Sequence, residues 1–216
     1  MKRHRRGTED GGAMQQRDRE LAERQARLAA QSGDEYDELL AEGMRHASEN
    51  NMRREAKAYR EAIALRPGKP EAYFNLGAAL NNSGHYVEAA QLYLDAMERL
   101  PVGSGDWAEA TACAFDLLKL EACDEVAKPE WWSDEGLKAL SARVVRAVPT
   151  CHRGHTMQAW VLSGRYDAWE VGPRSAAELR EAAAHWDRAA ALTDAPAVKA
   201  DHASNAATSR RLAEDM

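Results

Sequence analysis

The chain has 216 residues, of which 44% are hydrophobic, and its formal net charge is −6. This length and apolar fraction suit one domain or one short repeat array with a buried core. The acidic balance argues against a nucleic-acid-binding domain, which usually carries a basic surplus, and no apolar run approaches the ~20 residues of a membrane span.

Residues 1–12 are predicted to form a disordered basic tail. Its basic residues are Lys2, Arg3, Arg5 and Arg6. Such a cluster is usually a solvated tail, but it also occurs as a nuclear address or a phosphate contact. Association with nucleic acid through this tail is therefore an alternative function, although the net negative charge of the chain argues against nucleic acid as a partner.

Residues 13–32 are predicted to form an N-terminal helix with a thin apolar seam. Met14, Leu21 and Leu28 recur at a spacing of seven residues. Two or three heptads are too few to define a coiled coil. The helix is therefore expected to cap a repeat array, to stay solvated, or to mediate self-association through residues 14–31.

From Asp34 onward, apolar residues recur at intervals of three and four, and breaks come at regular distances. Asn50-Asn51 and Gly84 each split a helical hairpin, and Pro67-Gly68-Lys69-Pro70 and Pro101 each end one. Helices of about 13 residues joined by short turns form antiparallel hairpins.

The second half of the chain continues this pattern with less regular spacing. One long helix is predicted over 105–124 with Asp106 as its N-cap, and a second from Ser133 to Val148. Three further helices are predicted. The first covers 152–163, the second begins at a capping box formed by Ser175 and Glu178, and the third covers 196–212. The loop residues Trp131, Trp132 and Trp169 are expected to fold inward, because an indole must hide a large apolar area.

Four pairs of landmark residues recur at a period of 34. They are Gly43 and Gly77, Tyr59 and Tyr93, Ala62 and Ala96, and Pro67 and Pro101. A shared period indicates one structural unit of about 34 residues that is used again.

Residues 70–101 resemble a tetratricopeptide repeat. The matching positions are Tyr73, Leu76, Gly77 and Leu80 in the first helix, Ala89, Tyr93 and Ala96 in the second, and Pro101 at the end. Residues 36–67 are a weaker copy, and over 105–193 the resemblance is architectural only. The resemblance implies an all-α fold, namely a right-handed α–α superhelix of about four helical hairpins plus terminal helices. It also implies that residues 34–216 form one repeat domain.

In this family the first helix of each hairpin lines a concave groove, so the resemblance implies a non-catalytic scaffold or adaptor that binds a peptide or helix of a partner protein. The implied partner-binding residues are Leu40, Met44, Phe74, Asn75, Ala78, Asn81 and Asn82, with Ala108 and Ala112 beyond them. The family's clamp for chaperone tails is rejected, because only Asn75 matches it and its cationic positions hold Gly105 and Glu109. Alternatively, Leu40, Met44 and Phe74 pack against a neighbouring segment such as 14–31.

Cys151, His152 and His155 are the densest group of potential metal ligands, and they define a further alternative, a metal- or thiol-dependent enzyme. Zinc needs three or four ligands with defined geometry, and the adjacency of Cys151 and His152 suits shared coordination poorly. The chain is therefore expected to be no enzyme and to bind no metal or cofactor. Free thiols at Cys113, Cys123 and Cys151 favour a reducing compartment, which we take to be the cytoplasm, with the nucleus as the alternative.

Overall fold

The computed structural model describes residues 6–165, 169 and 171–216. This part of the chain contains ten α-helices and no β-strand, so the predicted all-α class is confirmed. The chain forms two compact units, and the division lies between His85 and Tyr86. That point falls inside the segment 70–101, between two helices of the predicted repeat.

The first unit contains helices α1 (Arg6–Ser32), α2 (Glu35–Ser48), α3 (Met52–Leu65) and α4 (Pro70–Asn82). Each helix packs on the next along the chain. Helix α1 begins at Arg6, within the segment for which the sequence predicts a disordered tail, and residues 1–5 of that segment lie outside the described residues.

Local chemistry explains where the helices of the first unit begin. The side chain of Asp34 accepts a hydrogen bond from Tyr36 N and caps α2, and Asn51 does the same for α3 from Arg54 N. Asn50 has φ 57°, a left-handed conformation that asparagine tolerates, and it makes the tight turn between these helices. Pro70 occupies the first position of α4, where its missing N–H costs nothing.

The second unit contains α5 (Tyr86–Arg99), α6 (Gly105–Leu118), α7 (Asp134–Ala147), α8 (His152–Ser163), α9 (Ala176–Leu192) and α10 (Pro196–Glu214). Helix α5 packs on α6, α7 on α8, α8 on α9, and α9 on α10. Packing of neighbouring helices is how a helical-repeat protein builds its core. The predicted stacking of consecutive hairpins is therefore confirmed within each unit.

The helix predicted over 105–124 is shorter than expected. It ends at Leu118, and a short 3₁₀ turn, Glu121–Cys123, follows it. The prediction failed because Lys128 Nζ donates to Leu118 O at 2.8 Å and to Cys123 O at 2.9 Å, a contact formed only in the folded chain. The N-cap is Ser104 rather than Asp106, since Ser104 Oγ accepts from Trp107 N at 3.1 Å.

An aromatic cluster forms the core of the second unit. Trp107 and Phe115 are buried on α6, and Trp169 is buried against Phe115 with ring centroids 5.8 Å apart. Trp131 and Trp132 are partly buried against the same cluster. The expectation that these loop tryptophans fold inward is confirmed.

Candidate functional site

The residues predicted to bind a partner lie on α2 and α4 of the first unit. We refer to them together as the α2–α4 face: Leu40, Met44, Phe74, Asn75, Ala78, Asn81 and Asn82. Asn82 is exposed, and the other six are half-buried. Ala108 and Ala112, which the resemblance placed beyond this face, are fully buried on α6 of the second unit.

Helix α4 has two distinct sides. At 3.6 residues per turn, the five face residues from Phe74 to Asn82 fall within a sector of about 120°. The opposite side carries the buried residues, among them Tyr73, Leu76 and Leu80. The helix therefore buries one side completely and leaves the other partly open.

Tyr36 joins the N-terminal end of α2 to that of α4. Its hydroxyl donates to Glu71 Oε2 at 3.2 Å and accepts from Ala72 N at 3.3 Å. Burial of the phenol, and then the neighbouring Glu71 carboxylate, raise the pKa of Tyr36 to about 12. The hydroxyl thus stays protonated and can keep donating, so the spacing of the two helices is fixed at this end.

Two further contacts hold this end of the first unit. Arg66 forms an ion pair with Asp34 at 2.9 Å, and its guanidinium lies 5.6 Å from the centre of the Tyr36 ring. Tyr36, Ala62 and Ala72 form a buried cluster that joins α2, α3 and α4. Leu40 packs against the cluster and remains half-buried, so it belongs partly to the core and partly to the surface.

Gly43 determines how closely α2 packs against α3. A Cβ atom at this position would lie 2.3 Å from the ring of Tyr59, and Tyr59 itself is buried. In the sequence, Gly43 and Tyr59 recur as Gly77 and Tyr93, 34 positions later. The structure gives the reason: the close approach of two helices needs a residue without a side chain.

The chemistry of the α2–α4 face is apolar with amides. Leu40, Met44 and Phe74 offer flexible aliphatic and aromatic surface. Asn75 and Asn82 carry amides that both donate and accept hydrogen bonds. Such a surface can contact the side chains and the backbone of a polypeptide segment, and it offers no group suited to bond-making chemistry.

The alternative metal or thiol site is not assembled. Cys151 caps α8 by accepting from Gly154 N, and its Sγ lies 3.5 Å from Glu109 Oε2. His152 and His155 contact two other histidines in two different places. Burial raises the pKa of the Cys151 thiol, which disfavours the nucleophilic thiolate. Among the described residues, no group of three His, Cys, Asp or Glu could hold a metal ion.

Sequence reasoning missed the histidine partners. His152 contacts His202, and His155 contacts His185, at separations of 50 and 30 residues along the chain. No local spacing signals such pairs. Of the basic tail considered for nucleic-acid contact, Lys2, Arg3 and Arg5 lie outside the described residues.

The packing of consecutive helical hairpins within each unit is typical of the class of helical-repeat proteins. The family model of the tetratricopeptide repeat matches residues 58–91, which is one period of 34 residues. The chain therefore carries a tetratricopeptide repeat there, as the resemblance implied. The match begins in α3, contains all of α4 and ends in α5.

No curated protein matches the chain. Within the described residues, none of the helices combines the length and the apolar character that crossing a bilayer requires. The match over residues 58–91 relates this segment to tetratricopeptide repeats, which generally mediate contacts between proteins.

Proposed function

We propose that the chain is a non-catalytic interaction module whose α2–α4 face binds a peptide or helix of a partner protein. The observation that carries the proposal is the partial exposure of Leu40, Met44 and Phe74 on two helices that Tyr36 fixes together. A segment with apolar anchors can bury these side chains, as amphipathic helices and extended peptides do in grooves. The amides of Asn75 and Asn82 then pair with polar groups of the bound segment.

A displayed-peptide library selected against the full chain tests this proposal. Peptides that bind wild type should bind the double variant Met44→Glu/Phe74→Arg at least tenfold more weakly, since both changes place charge where an apolar anchor sits. Isothermal titration with individual synthetic peptides measures the loss.

A matched control uses the same kinds of substitution away from the face. Met52 and Leu65 on α3 are both exposed, so Met52→Glu/Leu65→Arg changes charge equally without touching the α2–α4 face. Peptides should keep their wild-type affinity for this control. If the two double variants weaken binding equally, with helicity intact by circular dichroism, the α2–α4 face is not the site.

A second candidate interaction is self-association through α1. Ala22 and Ala29 are buried, whereas Leu21 and Leu28 on the adjacent stripe are about half exposed. Two leucines seven residues apart are a seam that a second copy of the helix can cover. Sedimentation equilibrium should report a dimer that Leu21→Glu/Leu28→Glu converts to a monomer and Met52→Glu leaves intact. A wild-type monomer at high micromolar concentration contradicts the idea.

We further propose a cytoplasmic or nuclear location. The cysteines Cys113, Cys123 and Cys151 are free thiols, and free thiols persist where glutathione keeps proteins reduced. Cell fractionation with an antibody to the native chain tests this, and recovery from an oxidising compartment would contradict it.

A further inference from the structure

Two histidine pairs join the N-terminal turn of α8 to α9 and α10 in the second unit. His152 Nε2 lies 2.8 Å from His202 Nε2, and His155 Nδ1 lies 2.9 Å from His185 Nδ1. His155 and His202 are buried, and His152 and His185 are half-buried.

In both pairs the two rings point at each other along one line. The ring centroids are 5.1 Å apart, which equals the nitrogen–nitrogen distance plus the centre-to-nitrogen radius of each ring and is the value expected when these atoms lie in line. This is the geometry of an N–H···N hydrogen bond with a single proton between two nitrogens. A zinc ion in line between them would instead hold the nitrogens about 4 Å apart, so the arrangement fits a shared proton and not a bridging metal.

The protonation of one pair follows from its surroundings. His155 Nε2 lies 3.0 Å from Pro149 O, which can only accept, so Nε2 carries the hydrogen of neutral His155. Its Nδ1 then holds a lone pair, and His185 must donate its Nδ1–H to it. In the neutral pair the hydrogen bond therefore runs from His185 Nδ1–H to His155 Nδ1.

We propose that the two histidine pairs are an acid-sensitive latch that holds α9 and α10 against α8 near neutral pH and releases them when the pairs take up protons. One added proton leaves a pair with a single imidazolium, which can still donate to the lone pair of its neutral partner. A further proton makes both rings imidazolium cations. It removes the last lone pair that accepts the hydrogen bond, and the two adjacent cations repel each other in a partly buried site.

The charged groups around the pair of His152 and His202 act in both directions. Arg153 opposes protonation of His152, whereas Glu109 and Asp116 on α6 favour it. His152 opposes protonation of His202, whereas Asp201 and Asp116 favour it. His155 also opposes protonation of His152. Burial is the largest influence on both, and it lowers the pKa of His152 and of His202.

The pair of His155 and His185 is governed by burial in the same way. Arg188 on α9 opposes protonation of His155, while the Pro149 carbonyl favours it. Glu181 Oε1 lies 3.8 Å from His185 Nε2 and is the carboxylate that faces this ring. Burial, and then the neighbouring His155, lower the pKa of His185 to about 4.

The direction of the pH effect follows from these shifts. An unfolded histidine takes up its proton near pH 6.5, but the latched histidines resist it, so the released state binds more protons. The stabilising effect of the latch is therefore complete above pH 6.5 and is lost as the pH falls towards 4. For His185 alone, linkage predicts a roughly 20-fold rise in the unfolding equilibrium constant between pH 7 and pH 5.

Release of the latch exposes a defined apolar surface. Behind the histidines, Ala159 of α8, Trp186 of α9 and Ala206 of α10 form a buried cluster, and Trp186 meets Trp160 edge to face with centroids 4.9 Å apart. A surface pocket of ≈ 370 Å³ borders this cluster and is lined in part by Trp160, Trp186 and His202. Loosening of α9 and α10 at acid pH therefore uncovers two indoles.

The experiment replaces one member of each pair by an amide that cannot titrate in this range. In His185→Asn the side-chain amide takes the place of the Nδ1–H donor, and in His202→Gln it takes the place of Nε2. Amide hydrogen exchange, corrected for intrinsic rates, is measured between pH 7.5 and pH 4.5 on the full chain. Wild-type α9 and α10 should lose protection at least tenfold more than the double variant as the pH falls. The exposed control His85→Gln should respond as wild type does.

A measurement on the unmutated chain guards against a variant that merely fails to fold. Long-range ¹H–¹⁵N spectra of the imidazoles report each tautomer and each titration. Nε2–H on His155 and Nδ1–H on His185 at neutral pH, with titration midpoints below 6.5, support the latch. Imidazoles that titrate near 6.5, or equal acid-induced loss of protection in wild type and the double variant, overturn it.

Discussion

At Gly43 the absence of a side chain determines how closely α2 and α3 pack. Since a Cβ atom there would lie 2.3 Å from the Tyr59 ring, we expect Gly43→Ala to destabilise the chain by about 1–3 kcal/mol through overpacking. Urea denaturation measures the change. Gly68→Ala is the matched control, because a Cβ at that loop position meets nothing within 4 Å. An equal cost at both positions would show that close approach is not the cause.

The hydroxyl of Tyr36 offers a second test at the residue scale. Tyr36→Phe removes the acceptor for Ala72 N, a buried backbone donor at the start of α4. Leaving such a donor unsatisfied costs about 1–3 kcal/mol, and the spacing of α2 and α4 should loosen. Thermal unfolding should register the loss. Tyr86→Phe changes an exposed tyrosine, and it should leave the unfolding temperature unchanged.

Residue roles could be predicted from the sequence where they follow the repeat. Gly43 and Tyr59 stand one period before Gly77 and Tyr93, so the need for a small residue at Gly43 was visible in advance. The bond from Tyr36 to Glu71 was not, because it spans 35 residues and matches no signature position. The histidine pairs were missed for the same reason. Contacts of this kind involve residues that do not recur with the repeat, so a periodic pattern cannot predict them.

At the scale of elements, a charged cluster joins α7, the loop before α9, and α9 itself. Arg174 is almost fully buried and forms a bidentate ion pair with Asp134, with one contact at 2.5 Å and the other at 2.9 Å. Arg174 also donates to Val161 O at 2.9 Å. Lys138 bridges Asp134 and Glu178 at 3.1 and 2.7 Å.

This cluster should give the chain a second loss of stability at lower pH than the histidines. The Arg174 hydrogen bonds lower the pKa of Asp134 to about 2, and the Lys138 hydrogen bond lowers that of Glu178 to about 2. Because these folded values lie below the unfolded ones, the stabilisation is present above about pH 5 and is lost as the pH falls towards 2.

The variant Glu178→Gln isolates one of these carboxylates. Glutamine keeps the capping box with Ser175 but cannot titrate. We expect it to reduce stability at pH 7 by about 1–2 kcal/mol and to make the slope of stability against pH shallower between pH 5 and pH 3. Urea denaturation across this range measures both effects. A slope identical to wild type would mean that Glu178 is not ion-paired in solution.

The positions of the elements were largely readable from the sequence because their signals are local. The capping box at Ser175 and Glu178, the cap at Ser133 and the start of α8 lie where the pattern placed them. The end of α6 does not lie where the pattern placed it, because Lys128 donates hydrogen bonds to the carbonyls of Leu118 and Cys123. A helix end that depends on a residue ten positions later is invisible to periodicity.

Lys128→Met tests that explanation. The substitution keeps most of the aliphatic stem and removes the ammonium, which satisfies two helix-end carbonyls and lies 5.4 Å from the centre of the Trp132 ring. We expect a loss of about 1–3 kcal/mol and faster amide exchange in the segment 119–126. Lys199→Met, on the exposed side of α10, should have no measurable effect. Unchanged exchange in 119–126 would assign the end of α6 to another cause.

At the scale of the whole molecule, the sequence could predict a stack of helical hairpins but not where the chain divides into units. The prediction of one repeat domain over 34–216 rested on a period that fades after residue 101. The division at residue 85 depends on how densely each segment contacts itself, which a repeat pattern does not encode. The partner-binding role of the α2–α4 face likewise stays a prediction, since exposure alone names no ligand.

The second unit has its own core, so residues 86–216 expressed alone should fold. Trp107, Phe115 and Leu137 are buried among residues of this unit, and the histidine pairs and the Arg174 cluster lie within it as well. We therefore expect a helical spectrum, a single cooperative urea transition and the same weakening between pH 6.5 and pH 4 as in the full chain. A fragment without a cooperative transition would mean that this core needs the first unit, whereas a folded fragment without the acid response would count against the histidine latch alone.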